Sequence, residues 1–439
     1  MTEARAGARL TVVALVVIAL LTLVPSRAPF STFALCVLCG DRGTTDALLN
    51  VLLFLPFGVG MRLRGEPLGR TVRVALVISA GIELLQLTTI TGRTSSPGDI
   101  LTNTAGAALG AVLARHWRAI ILPSGTQALR LGIAGGLAWL GILVLTGVAM
   151  QPRLTHEPLY AQIRPAIPTE ARRYPGGVGN VTSNGVALRP GLIADSARRA
   201  SMLDREAGEL SALIEHPPAT ARSIIARIVD ERRRTRLELR QSGSSLQFEP
   251  SLRAATLRLT SPSVRIGGAF PARCAADRMR ATGSLRSGVL RLTLGAPPCA
   301  ARSEARLRVS TGWVLLAPFA YAFGPEAPWL STLWLGVLVF VWSYWLGAYR
   351  GARRSALLRV AGAVIVAVGL GVVPWVAALP ASTPWEWLVA FAALLGGLAS
   401  GARRAAGDQR EPAPDAARRP TTSLAARSGS QGDPTSSRA

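Results

Sequence analysis

Long apolar runs and polar stretches alternate along the chain. Runs at 10–24, 46–61, 71–90, 99–122 and 131–150 each approach the length a helix needs to cross a bilayer. Residues 151 to about 309 hold no such run and are rich in Arg, Pro, Ser and Gly. Apolar character returns from Gly312, with runs at 329–349, 357–379 and 385–399. From about Arg403 the chain is rich in Arg, Pro, Ala and Ser and reads as disordered. The pattern predicts a polytopic α-helical membrane protein of about eight spans. A four-helix membrane domain covers 1–122 and a fifth helix lies in 123–150. An inserted domain covers 151–310, three further helices 311–401, and a cytoplasmic tail 402–439. No small-residue cleavage site closely follows the first run, which therefore reads as an uncleaved helix.

Within the insert the periodicity changes. Short segments at 210–215, 223–229, 236–240, 245–248, 255–259, 289–293 and 305–309 are strand-like, several with every second position apolar. Turn-forming residues separate them. This spacing predicts an all-β sandwich, jelly-roll-like in character.

Composition supports the membrane reading. Mean hydropathy is +0.32 over 439 residues, with 49% hydrophobic residues. The net charge of +24 comes from arginine, because the chain has no lysine. Such a balance can signal nucleic-acid binding. Here many arginines sit in short stretches between apolar runs, where membrane topology places them, and no nucleic-acid partner is expected. Arg5 and Arg9, then Arg62, Arg64, Arg70 and Arg73, then Arg115, Arg118 and Arg130 fall on one side of an eight-span arrangement. Arg350, Arg353, Arg354, Arg359, Arg403 and Arg404 fall there too. That side is expected to be the cytoplasm of a bacterial inner membrane, with both termini there and the sandwich outside.

The first four runs carry polar residues at helical spacing. Asp46 and Asn50 share a face of the second helix, and Ser79, Glu83 and Gln86 share a face of the third. Asp99 and Asn103 open the fourth, after Arg93 in the preceding loop. Carboxylates and amides are costly in hydrocarbon unless they face one another or a wet cavity. Two readings follow: a polar cluster opening outward, with Arg93 pairing Glu83 or Asp99 or holding an anionic group, or polar glue within the bundle. Gly106 and Gly110 form a small-xxx-small face suited to close helix packing, and Pro56 and Gly58 can bend the second helix.

The order Asp46-x3-Asn50-x3-Phe54-x-Pro56-Phe-Gly58, Ser79-x3-Glu83-x2-Gln86 and Gly92-Arg93-x5-Asp99-x3-Asn103-x2-Gly106 resembles the VanZ-like family over about residues 8–120. The resemblance implies a role in the cell envelope and an association with reduced susceptibility to teicoplanin, a lipid-tailed glycopeptide. It assigns no biochemistry.

Cys36 and Cys39 form a CxxC beyond the first helix, and Cys274 and Cys299 lie in the insert. The first pair could be redox-active, half a metal site, a plain disulfide or two free thiols. The second is expected to be a disulfide closing a strand pair. The segments between Leu210 and Phe248 carry a similarity, over about 110 residues, to laminin-G-like, concanavalin A-type domains, which implies glycan binding. Phe248 and Phe270 are nearly all the aromatic residues there that could stack on a sugar.

No nucleophile motif, metal-ligand set or nucleotide loop stands out, and no metal or cofactor is expected. Whether a reaction occurs stays open, with Glu83 or Asp99 as the groups that could act as acid or base. Two functions remain. One is an envelope protein acting on or binding lipid-linked material, such as a cell-wall precursor, at the outer leaflet. The other is a membrane-anchored glycan- or protein-binding module without catalysis.

Overall fold

A computed structural model describes residues 3–25, 32–33, 35–38, 40–90, 94–155, 157–166, 173–206, 208–270, 277–295, 300–319, 321–349 and 355–407. The first group of helices comprises α1 (Glu3–Thr22), α2 (Gly43–Leu63), α3 (Leu68–Thr88), α4 (Pro97–Arg115), the short α5 (Trp117–Ile121) and α6 (Gly125–Ala149). Two short strands, β1 (Thr32–Phe33) and β2 (Thr94–Ser95), pair in parallel over this bundle.

The insert is two six-stranded antiparallel sheets. Its strands are β3 (Tyr160–Ile163), β4 (Gly177–Ser183), β5 (Val186–Ala187), β6 (Gly191–Leu192), β7 (Glu209–Glu215) and β8 (Ala221–Val229). They continue as β9 (Thr235–Gly243), β10 (Ser245–Pro250), β11 (Val264–Ile266), β12 (Arg278–Arg286), β13 (Val289–Gly295) and β14 (Ala301–Arg306). One sheet runs β11-β10-β9-β8-β3-β6 and the other β14-β13-β12-β7-β4-β5. Alternate residues of both sheets meet in one apolar core, including Leu210, Ile214, Leu239, Leu246, Phe248, Leu290 and Leu292. Gly283 on β12 gives the Phe248 ring the room a side chain would occupy. Helix α7 (Ser196–Glu206) seals one edge with Ala200 and Leu203.

Two of the expected strands differ. Residues 255–259 begin inside a helical turn, α8 (Arg253–Thr256), and leave it through Arg258, which takes a left-handed φ of 53°. The last strand stops at Arg306 and a 3-10 helix, Val309–Leu316, follows. Both segments turn at the junction with the bundle, where contacts to α2 and α6 outweigh local alternation.

The second helical group is α9 (Ala327–Gly347), α10 (Ser355–Ala367), α11 (Val373–Val376) and α12 (Pro384–Gly407). A π-helical stretch, Val368–Val372, joins α10 to α11 ahead of Pro374, which supplies no backbone donor to the ladder. There Gly369 lies against the indole of the buried Trp139 of α6. Glu386, buried at the start of α12, accepts from Thr383 N at 2.7 Å, while Thr383 Oγ1 accepts from Glu386 N at 3.2 Å. This capping box accounts for an acid in an otherwise apolar helix, and Ser310 donates to the same carboxylate.

Among the described residues seven helices are long and apolar enough to cross a membrane, where about eight were expected. The eighth, α4, is 19 residues long but less apolar, because Asp99, Thr102, Asn103 and Thr104 occupy its first half. It nonetheless lies within the bundle. A Cβ on Gly106 or Gly110 of α4 would run into the Val51 or Leu55 carbonyl of α2, and one on Gly58 into the Ala107 carbonyl. The small-xxx-small face is therefore a backbone-to-backbone contact. Of the tryptophans in the second group, Trp329, Trp375 and Trp385 project outward near helix ends and suit an interfacial belt. Trp342 is instead buried against Trp139.

Bundle and sandwich are joined at the start of α2. The Arg258 carbonyl accepts from Thr44 N at 3.2 Å and Thr45 N at 3.4 Å, satisfying donors that a helix start leaves open. The fully buried Thr45 hydroxyl donates to Leu315 O at 2.8 Å and accepts from Thr260 N at 3.1 Å. The Arg258 guanidinium also donates to Leu38 O in the loop before α2.

Two stability predictions follow from these contacts. Gly110→Val should destabilise the protein in detergent by at least ~1–3 kcal/mol through overpacking. Gly81→Val, on an open face of α3, should cost much less, as thermal melts of both would show. Thr45→Val keeps the shape but removes two buried hydrogen bonds, to Leu315 O and from Thr260 N, which stay bonded to each other at 3.2 Å; it should lower stability by about 0.5–1.5 kcal/mol. Thr88→Val, at an exposed hydroxyl, should leave the melt unchanged.

Candidate functional site

The polar residues of α2, α3 and α4 lie near the end of the bundle that faces the sandwich. Asn50 Nδ2 donates to Asp99 Oδ1 at 2.7 Å and approaches Thr102 Oγ1 at 3.4 Å. Glu83 Oε2 accepts from Ser96 N at 2.9 Å, so this acid holds the chain just before α4. Ser96 is itself the N-cap of α4, its hydroxyl accepting from Asp99 N at 3.2 Å. Asn103 Nδ2 donates to Ser79 Oγ at 2.9 Å, and Gln86 Nε2 donates to Thr22 O at 2.9 Å.

These residues do not form one shared network. Ser79, Glu83, Gln86 and Asn103 are buried, and each holds a partner on another segment. Asp46 is exposed at the mouth of α2, with Asn50 and Asp99 partly buried beneath it. The Asn103 carbonyl oxygen is buried without a hydrogen bond. Ser79, Gln86 and Asn103 thus tie helices together, while Asp46, Asn50 and Asp99 form the part nearest the surface. Arg93 lies outside the described residues, and its expected pairing with Glu83 or Asp99 lies there with it.

Cys36 is disulfide-bonded; Cys39, Cys274 and Cys299 lie outside the described residues. Phe248 and Phe270 are both core residues, so neither offers a ring for stacking on a sugar.

Beside the bundle mouth is a larger feature that sequence reading passed over. A cavity of ≈ 1060 Å³ opens between the loop before α2 and the face formed by β8, β9 and β10. Among the described residues eight arginines and three acids line it. Part of it is internally balanced: Glu238 lies 3.5 Å from Arg240 and 4.0 Å from Arg227. The run Glu231-Arg-Arg-Arg-Thr-Arg236 between β8 and β9 was the available signal.

Below that run Arg236 is buried. It donates to Leu154 O at 3.1 Å and to Arg153 O, and lies 3.5 Å from Asp204. Burial pulls its pKa down to about 10, against the favourable charge of Asp204. Glu249 at the cavity wall shows the converse. Burial, then the like charge of Glu238, pushes its carboxyl up to about 7 despite Arg240 and Arg42 nearby.

A family model described as VanZ/LLP1 matches residues 11–121, which span α1 to α5 and end before the sandwich. The N-terminal bundle is thus VanZ-like. No curated protein and no solved structure matches the chain.

The Glu249 carboxyl binds more protons folded than unfolded between pH 4.5 and about 7. Its contribution to stability therefore falls as pH rises through that window and is flat above it. Glu249→Gln should flatten this part of the profile, measured as the melting temperature of both proteins at either end of the window.

Proposed function

We propose that this multi-pass membrane protein, VanZ-like in its first bundle, binds lipid-linked envelope material from the outer leaflet and thereby lowers susceptibility to glycopeptides such as teicoplanin. The observation that carries the reading is the convergence of Asp46, Asn50 and Asp99 from two helices at the bundle mouth, braced by Glu83 through Ser96. Hydrogen-bonding groups at that level suit the polar head of a lipid whose tail stays in the bilayer.

The orientation rests on arginine. Arg62 and Arg64 at the end of α2, Arg70 and Arg73 at the start of α3, and Arg115 and Arg118 after α4 lie at the end of the bundle away from the sandwich. Arg118 reaches Glu3 at 3.4 Å, and Tyr344 and Trp345 near the end of α9 donate to Ile121 O and Ile120 O, so these ends share one level. In this reading that level faces the cytoplasm of a bacterial inner membrane and the sandwich faces outward. A disulfide at Cys36 fits the oxidising side.

The test is teicoplanin susceptibility of a sensitive host producing the wild type, Asp99→Asn or Glu83→Gln at matched membrane levels. Protection by the wild type that either substitution removes is the expected result. Equal susceptibility with and without the wild-type protein would sink the proposal.

A further inference from the structure

We infer that the cavity between the loop before α2 and the sandwich binds a phosphate-bearing group of more than one negative charge, such as a pyrophosphate. The balance of charge points there. Glu238 engages Arg227 and Arg240, and Glu249 and Asp41 are the other acids of the lining. Arg42, Arg153, Arg232, Arg233 and Arg234 line the same space, and among the described residues no ion pair or guanidinium hydrogen bond joins them to an acid, although the Arg234 backbone N donates to Asp230 Oδ1 at 2.8 Å. Like charges held together with few counter-ions cost free energy, and Arg153 registers it: burial and then the neighbouring charge of Arg234 lower its pKa, against the opposing charges of Asp230 and Asp41. Guanidinium groups converging from several segments match phosphate oxygens in a forked geometry that a single carboxylate does not fill.

Position narrows the source. Arg42 immediately precedes α2, and Arg153 lies four residues past the end of α6. Both helices are membrane-spanning candidates, so the cavity floor sits at headgroup level, while Arg232, Arg233 and Arg234 reach it from the loop between β8 and β9. A phosphate on a lipid and a free phosphate share the chemistry. The inference depends on the chain lying in a membrane but not on the polar residues of the bundle mouth.

The experiment uses the full chain in phosphatidylcholine nanodiscs, with inorganic pyrophosphate and geranyl pyrophosphate as probes in calorimetric titrations. Wild type should bind, and Arg153→Gln combined with Arg234→Gln should weaken binding by about tenfold or more. Arg222→Gln, which removes an exposed charge outside the cavity, should bind as wild type does, and so should Glu83→Gln. Geranyl pyrophosphate binding that pyrophosphate cannot displace identifies a lipid-borne group; free mutual displacement identifies the phosphate itself. Without ligand the double variant should melt at or above the wild-type temperature, since a repulsion has been relieved. Failure of the wild type to bind either probe, equal binding by the double variant, or a large fall in its ligand-free melting temperature would each overturn the inference. Loss of binding in Glu83→Gln would instead move the phosphate to the bundle mouth.

Discussion

The arrangement of the whole chain depends on how one helix begins. A membrane helix that starts at the edge of the bilayer leaves its first amide donors without partners. In α2 two of these donors are taken by the Arg258 carbonyl, more than 200 residues later, and the Thr45 side chain is threaded between Leu315 and Thr260. The left-handed conformation at Arg258 turns its carbonyl toward the helix while its guanidinium holds the Leu38 carbonyl. Non-glycine residues adopt that conformation at a cost of about 1–2 kcal/mol, which these bonds offset. Through this contact the sandwich becomes the cap of the bundle rather than a domain on a tether.

Several consequences follow from that contact. Capping α2 in this way sets the sandwich face of β8, β9 and β10 beside the loop that carries Cys36, Leu38 and Arg42, and the space left between them is the arginine-lined cavity. It also brings the 3-10 helix Val309–Leu316 down against α6, where Gly312 lies on the Thr146 hydroxyl. The second helical group is then anchored through Ser310 to the buried Glu386.

Inside the bundle the physics is different. Hydrocarbon does not drive helices together, so contact comes from close backbone approach and hydrogen bonds. Gly58, Gly106 and Gly110 supply the first; Asn103 with Ser79 and Gln86 with Thr22 supply the second. The polar residues therefore divide by role. Ser79, Gln86 and Asn103 bond across helices, and Asp46, Asn50 and Asp99 lie toward the surface. The cavity arginines sit in the opposite condition, with charge in excess of what surrounds them.

The membrane character and the insert were legible in the chain because each rests on local periodicity, and the VanZ-like resemblance because its motif residues lie close together along the chain. Twenty apolar residues or a run of alternation carries its own signal. The helical spacing of Ser79, Glu83 and Gln86 likewise put them on one face before any partner was known. Local reading failed where partners are remote. The segment at 255–259 looks like a strand but turns to cap α2; α4 is less apolar than its neighbours yet lies among them. Glu386 and Ser310, 76 residues apart, meet only in the packed chain. The arginine run at 232–234 has the composition of a solvated turn, and only the tertiary structure set it across from Arg42 and Arg153. Charge excess is a property of a volume, and a linear pattern does not say which residues will share one.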